Sequence, residues 1–266
     1  MSNIAVLIPS HINYKGQTEL LDKCIVSLLE QTVIPDIYIS ISFDNDYFKN
    51  DFKTNILRKY FKEPNIRFII SNEQKFQMEH LYILSNKIPY LKKYDLYMFS
   101  DDDDTYHSRR VDNFSYAFEK GKNNVEYFQG IRENINNDNK KSPEYWAYGI
   151  KPVVIERFFN YFDNEKLKLL KHKLADIYFR NYLWIINGNW ICIREILYNY
   201  NINNPNSICG KNGNGNIFDN VILELMYSNN KTDFNNIIKK YNIDNKILIK
   251  HYKKIFNLCK LLYINN

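Results

Sequence analysis

Four short apolar runs, Ile4 to Ile8, Ile37 to Phe43, Ile66 to Ile70 and Leu96 to Phe99, alternate with segments whose apolar residues recur at helical spacing. The first such segment carries Leu20, Leu21, Cys24, Ile25, Leu28 and Leu29, with Thr18 placed to cap it and Pro35 beyond its end. Phe52, Ile56, Leu57, Tyr60 and Phe61 mark the second, and Met78 to Ile88 the third. Runs without polar alternation suit strands buried on both faces, and helices between them impose crossover connections. An α/β fold with a mainly parallel central sheet flanked by helices follows. In such a sheet ligands bind beyond the carboxyl ends of the strands. Those ends here are Ser10 and His11, Asp44 and Asp46, Ser71 and Asn72, and Asp101 to Asp104.

The last of these ends constrains the chemistry. Four consecutive carboxylates follow an apolar strand, and each like-charge pair about 4 Å apart costs roughly 4 kcal/mol at an effective dielectric near 20. A folded site of this kind needs a metal, raised pKa values or basic neighbours, and Arg109 and Arg110 follow closely. An acidic turn at a helix start accounts for one or two such residues, not for four.

Composition narrows the class. The 266 residues are 45% hydrophobic and 25% charged, an ordinary globular balance. A net charge of +6, with lysines scattered among Asn and Tyr, gives no continuous basic arm for nucleic acid. Cys24, Cys192, Cys209 and Cys259 show no metal spacing, nor do His80, His107, His172 and His251. With no leader-like start and no apolar run of spanning length, a cytoplasmic location is expected.

Beyond Lys120 the pattern loosens. Tyr127 to Ile131 is a further strand candidate, Lys166 to Leu183 reads as a helix containing Asp176, and Trp184 to Arg194 contains a strand segment. Cys209 to Asn216 is a Gly/Asn loop opening onto a helix from Asp219 to Tyr227. Lys231 to Tyr263 reads as one or two amphipathic helices that pack on the body. Peripheral membrane contact through Lys250, Lys253 and Lys254 is the alternative.

The run Ile4-Ala-Val-Leu-Ile-Pro-Ser-His11, the segment Leu20 to Thr32, and Tyr97-Met-Phe-Ser-Asp-Asp-Asp-Asp-Thr-Tyr106 together resemble a family 2-type glycosyltransferase of the GT-A fold, the last segment being similar to its DxD region. The resemblance covers roughly the first half. It implies that Pro9, Ser10, His11 and Asp44 hold the base of a nucleotide-sugar; the residues do not read out which donor, a UDP-sugar being the first expectation and a GDP-sugar the second. Asp101 or Asp102 would contact ribose or metal, and Asp103 with Asp101 would hold Mn²⁺ or Mg²⁺. Asp219 would be the base of an inverting transfer, although Phe218 stands where the family carries a Glu; an ordinary helix cap is the alternative, and Asp176 and Glu224 are substitutes. Lys75 is a candidate for a phosphate contact or a solvated lysine. Trp184 and Trp190 are an acceptor-sugar platform or core.

Residues 1–230 are expected to form the transferase domain, 1–120 for the donor and 121–230 for a glycan, protein or lipid acceptor, with 231–266 a helical extension. Asp101-Asp-Asp-Asp-Thr105 also fits the nucleophile motif of haloacid dehalogenase-like phosphatases, but no later adjacent acidic pair completes it. A catalytically inactive sugar-binding protein on the same fold is the non-enzymatic alternative.

Overall fold

A computed structural model describes residues 2–121, 127–131, 145–162, 166–185, 189–199, 201, 220–221, 224–225, 233–244 and 246–264. The chain forms two compact units. One comprises Met1–Tyr161 with Gly188–Asn204, the other Phe162–Asn187 with Pro205–Asn266.

The first unit is built on a sheet of seven strands: β1 (Ile4–Ile12), β2 (Asp36–Phe43), β3 (Ile66–Ile70), β4 (Leu96–Phe99), β6 (Tyr127–Ile131), β7 (Tyr148–Ile150) and β8 (Trp190–Ile196). Their order is β3-β2-β1-β4-β7-β6-β8. β3, β2, β1 and β4 run parallel, as do β6 and β8, while β7 is antiparallel to both its neighbours. A small antiparallel pair joins β5 (Thr105–Tyr106) to β9 (Tyr198–Asn199). Helices α1 (Gln17–Leu29), α2 (Asp46–Phe52), α3 (Arg58–Tyr60), α4 (Gln77–Lys87), α5 (Arg110–Gly121) and α6 (Pro152–Phe159) complete this unit. The expected α/β architecture with a mainly parallel sheet is therefore present.

Details differ from the sequence reading for local reasons. β1 does not stop at Ile8: Pro9, Ser10 and His11 stay in the ladder opposite Ser40, Ile41 and Ser42 of β2. Helix α1 begins at Gln17 after Gly16, whose φ of 93° is open to glycine, and Thr18 lies buried inside it rather than capping it. Asn45 caps α2 by accepting from the Phe48 N–H at 3.2 Å. Between α2 and α3 the chain makes a π-helical turn, Lys53–Leu57, yet Phe52, Ile56 and Tyr60 still face the core.

In the second unit the stretch expected as one helix from Lys166 is a 3₁₀ turn, Lys166–Leu170, followed by α7 (Asp176–Ile185). Two further helices are α8 (Phe234–Lys240) and α9 (Lys246–Ile264). On α9, Tyr252, Ile255, Phe256 and Leu258 are buried while Lys253 and Lys254 are exposed, the pattern of a helix packed on its neighbours. Among the described residues no helix is long and apolar enough to cross a membrane.

The core of the first unit closes around Phe114 of α5. Gly149 of β7 makes room for it: a Cβ there would lie 2.6 and 2.9 Å from atoms of the Phe114 ring and 3.2 Å from Leu96. Gly149→Ala is expected to destabilise the protein by about 1–3 kcal/mol through overpacking. Urea denaturation of that variant, alone and with Phe114→Leu, checks this; the smaller side chain should recover part of the loss.

Candidate functional site

The carboxyl edge of β1, β2 and β4 brings together two polar clusters. The first is acidic. β4 ends at Phe99, and after buried Ser100 the chain turns to deliver Asp101, Asp102, Asp103 and Asp104. Asp101 accepts from Gln77 Nε2 at 2.9 Å and from the Tyr145 hydroxyl. Asp102 accepts from Ser10 Oγ at 2.6 Å and Gln17 Nε2 at 3.1 Å, which ties β4 to β1 and α1. Asp104 is 1% exposed, and both its oxygens are taken: the Tyr198 hydroxyl donates at 2.8 Å and the Asn201 N–H at 2.7 Å. The Tyr198 oxygen in turn accepts from the Asp101 N–H at 3.1 Å. Asp103 is half-buried in the same turn.

Asp101, Asp102 and Asp104 hold their protons unusually well. Burial pushes Asp102 up to about 7, with the charge of Asp103 adding to it. Burial does the same to Asp104, again to about 7, against opposing hydrogen bonds from Asn201 and Tyr198. Asp101 is raised well above the carboxylate range by burial, then by the charges of Asp104 and Asp103.

Arg110 supplies positive charge on the Asp104 side. It is 1% exposed, donates from Nη2 to the Trp146 carbonyl at 2.6 Å, and lies over the rings of Tyr106 at 4.3 Å and Tyr198 at 4.6 Å. Trp146 stacks on Tyr198 with centroids 3.9 Å apart. Arg109 instead points outward to Glu195 at 3.3 Å.

The second cluster lies at the ends of β1 and β2. His11 Nδ1 is 2.9 Å from Ser42 Oγ, and its Nε2 is 3.3 Å from Asp44 Oδ1. His80, 1% exposed, lies between Ser40 Oγ at 2.8 Å and Ser42 Oγ at 3.0 Å. Burial, with His11 and Lys75 nearby, pushes its pKa down to about 3, so the ring is neutral.

The structure thus brings Ser10, Asp101, Asp102 and Asp103 to one turn, with His11 and Asp44 at the neighbouring strand ends. Pro9 is buried within β1, and the Lys75 ammonium is paired with Glu73 at 2.9 Å. Trp190 is part of β8. The side chain of Trp184 and the whole of Asp219 lie outside the described residues, as does the loop Cys209 to Asn216. Asp176 begins α7, and Glu224 is held ionised by Lys240 at 2.7 Å. Gln17, Gln77, Tyr145, Tyr198, Ser42 and His80 complete the clusters without having been singled out. Ser40 and Ser42, polar at alternate positions of an apolar strand, were the signal for the last two. Among the described residues no group of three or more His, Cys, Asp or Glu side chains is arranged as a metal cage.

No protein-family model matches this sequence, and no curated protein does. Solved structures do match. The 1–349 portion of S. aureus TarS in complex with UDP-GlcNAc is similar over 96% of this chain and 70% of that one, with a TM-score of 0.56 and 10% identity. The mannosyltransferase PcManGT from Pyrobaculum calidifontis, in complex with GDP-Man and Mn²⁺, is similar over 98% and 74%, with a TM-score of 0.56 and 11% identity. Against a longer S. aureus TarS chain, at a TM-score of 0.51 and 11% identity, the match covers 74% of this chain and 36% of that one, so this chain spans about a third of its length. The fold is that of nucleotide-sugar glycosyltransferases.

A carboxyl that binds its proton more tightly when folded than when unfolded makes stability fall as pH rises from its unfolded pKa to its folded one. For Asp102 and Asp104 that window runs from 3.8 to about 7. The ligand-free protein should therefore show a lower urea midpoint at about pH 8 than at about pH 5. Asp102→Asn should flatten that slope and exceed the wild type in stability at the higher pH.

Proposed function

We propose that this protein is a metal-dependent glycosyltransferase that moves a sugar from a nucleotide-diphosphate donor, a UDP-sugar in the first instance, to an acceptor hydroxyl with inversion. The observation that carries this reading is the acidic turn on this fold. Carboxyl groups whose pKa values are raised by burial and by one another are poised for a cation, and they stand where an α/β sheet binds its ligands.

The donor set fits a hard divalent ion. Asp104 is buried and each of its oxygens already accepts a hydrogen bond, from Tyr198 and from Asn201, so the ligands fall to Asp103 and Asp101. Mg²⁺ and Mn²⁺ are commonly held by one or two carboxylates together with phosphate oxygens, so no all-protein cage is required. Such an ion, when bound, neutralises charge on the departing nucleoside diphosphate. The PcManGT complex, which contains GDP-Man and Mn²⁺, supports this choice.

The chain's own residues do the rest. Asp44 and His11 receive the base at the ends of β1 and β2, and Asp102, fixed by Ser10 and Gln17, would contact the ribose. Asp219 takes the proton from the acceptor hydroxyl as its oxygen bonds to the anomeric carbon. The bond from that carbon to the diphosphate breaks, and the electron pair leaves with the diphosphate. Trp184 and Trp190 are assigned to the acceptor sugar. The phosphatase alternative is disfavoured because it needs a second acidic pair, and an inactive sugar-binding protein is the reading that absence of turnover would support.

Differential scanning fluorimetry with UDP- and GDP-sugars, with and without Mn²⁺, tests the assignment. A donor at one hundred times its Kd should add roughly 2.7 kcal/mol of stability. Asp103→Asn should remove the Mn²⁺-dependent part and lower turnover by about 10²-fold or more. Asp219→Asn should bind donor normally while losing transfer. No stabilisation by any nucleotide-sugar would defeat the proposal.

A further inference from the structure

The hydroxyl of Ser42 stands at the centre of three contacts. It accepts from the Lys75 N–H at 3.2 Å, lies 2.9 Å from His11 Nδ1 and lies 3.0 Å from His80 Nε2. A serine hydroxyl has one proton to give and two lone pairs to offer. Lys75 occupies one lone pair, so one of the two ring nitrogens must donate to Ser42 and the other must accept from it.

The remaining nitrogens decide which. His11 Nε2 faces Asp44 Oδ1 at 3.3 Å, and a carboxylate only accepts. Neutral His11 therefore carries its proton on Nε2, and its Nδ1 accepts from Ser42. His80 must then donate from Nε2, and its Nδ1 accepts from Ser40 Oγ at 2.8 Å. The Gln74 amide nitrogen lies 3.3 Å from His11 Nε2, where it would face the ring N–H; the relay therefore requires the Gln74 amide in its flipped orientation, with the carbonyl oxygen accepting from the ring.

We propose that Ser42 and His80 are positioning residues that hold His11 with its proton on Nε2, so that one Asp44 oxygen is engaged within the protein and the carboxylate offers the donor base a single acceptor, which selects uracil over guanine. The inference rests on the donor-site reading above. Uracil presents one imino N–H between two carbonyls. Guanine presents N1–H and the N2 amino group side by side, a pair that calls for both oxygens of a carboxylate. Asp44 is half-exposed, as a base contact requires, and His11 is the less exposed partner. His80 stays neutral in its buried position, so the chain of donors keeps one direction.

The test has two arms. In the ligand-free protein at about pH 8, ¹⁵N NMR of the imidazoles should show protonated Nε2 and unprotonated Nδ1 in both His11 and His80. A proton on Nδ1 of either ring overturns the relay whatever the protein binds. Calorimetric titration with UDP and GDP should show a preference for UDP, with the ratio of the two affinities falling roughly tenfold in Ser42→Ala and His80→Met. His80→Gln, whose amide N–H can reach Ser42, should keep the ratio. Thermal unfolding establishes that the variants are folded. Should the two buried substitutions not fold, His11→Phe, which frees the Asp44 oxygen directly, must lower the ratio. An unchanged ratio in folded variants, or a wild type that prefers GDP, overturns the selection. Binding of neither nucleotide by a wild type with the assigned tautomers refutes the donor-site reading, and the selection with it.

Discussion

Mutual repulsion among four aspartates at the end of a buried strand is the constraint around which the first unit is organised. Removing carboxylates from water is costly unless donors replace the water, and partial satisfaction is the expensive case. Side chains and backbone from elsewhere in the unit bond to them: Asp101 is held by Gln77 and Tyr145, Asp102 by Ser10 and Gln17, and Asp104 by Tyr198 and Asn201. These bonds reach into β1, α1, α4 and β9. The electrostatic cost of the turn is thus coupled to the packing of the elements around it. A hydrogen bond to a charged group contributes about 1.5–3 kcal/mol, so losing any one donor matters on the scale of total stability.

Arg110 shows how the acidic turn is compensated on the Asp104 side. Its guanidinium is buried among Tyr106, Tyr198 and Phe114, with the Trp146 carbonyl as hydrogen-bond partner, and its field lowers the Asp104 carboxyl against the burial that raises it. Aromatic faces provide a cation with partial compensation for lost water, about 2 kcal/mol or more when desolvated. Planarity also allows the Arg110 group to lie over ring faces, a geometry that an ammonium would not reproduce. Asp104 and Arg110 therefore form the inner, structural side of the turn, and Asp101 and Asp103 are the carboxyl groups proposed above to meet an external cation.

How much of this was legible depended on element length. The strands of the parallel half announced themselves because burial on both faces leaves uninterrupted apolar runs, and the acidic end of β4 was visible as a charge anomaly. The extension of β1 through Pro9 was not, since a proline followed by Ser10 and His11 looks like a loop; opposite Ser40 to Ser42 it is still a ladder. β5 and β9 are two residues each and β7 three, too short for any periodicity, and they pair across long sequence separations. Tyr145 and Tyr198 were hidden among 22 tyrosines, and only the fold distinguishes them. Gln17 and Gln77 lie in first helical turns, where a polar residue is unremarkable until the neighbouring strand end is known.

The two polar clusters on the carboxyl edge of the sheet solve the same problem by opposite means. At the acidic turn, charge is concentrated at a cost in stability, which the proposed cation would offset. At the ends of β1 and β2 the buried groups are neutral: His80 is bonded through both ring nitrogens to serine hydroxyls, and its depressed pKa reflects the cost of charging it there. A neutral network carries little Coulomb energy but a definite direction, because each hydroxyl and each neutral imidazole must give one proton and take another. Direction, rather than charge, is what a base-reading site needs, since the bases differ in their order of donors and acceptors. Placing a fixed chain of donors beside a concentrated negative charge on one sheet edge gives the two ends different dependences. On the proposed reading the acidic end would respond to pH and divalent ions, and the histidine end to side-chain identity.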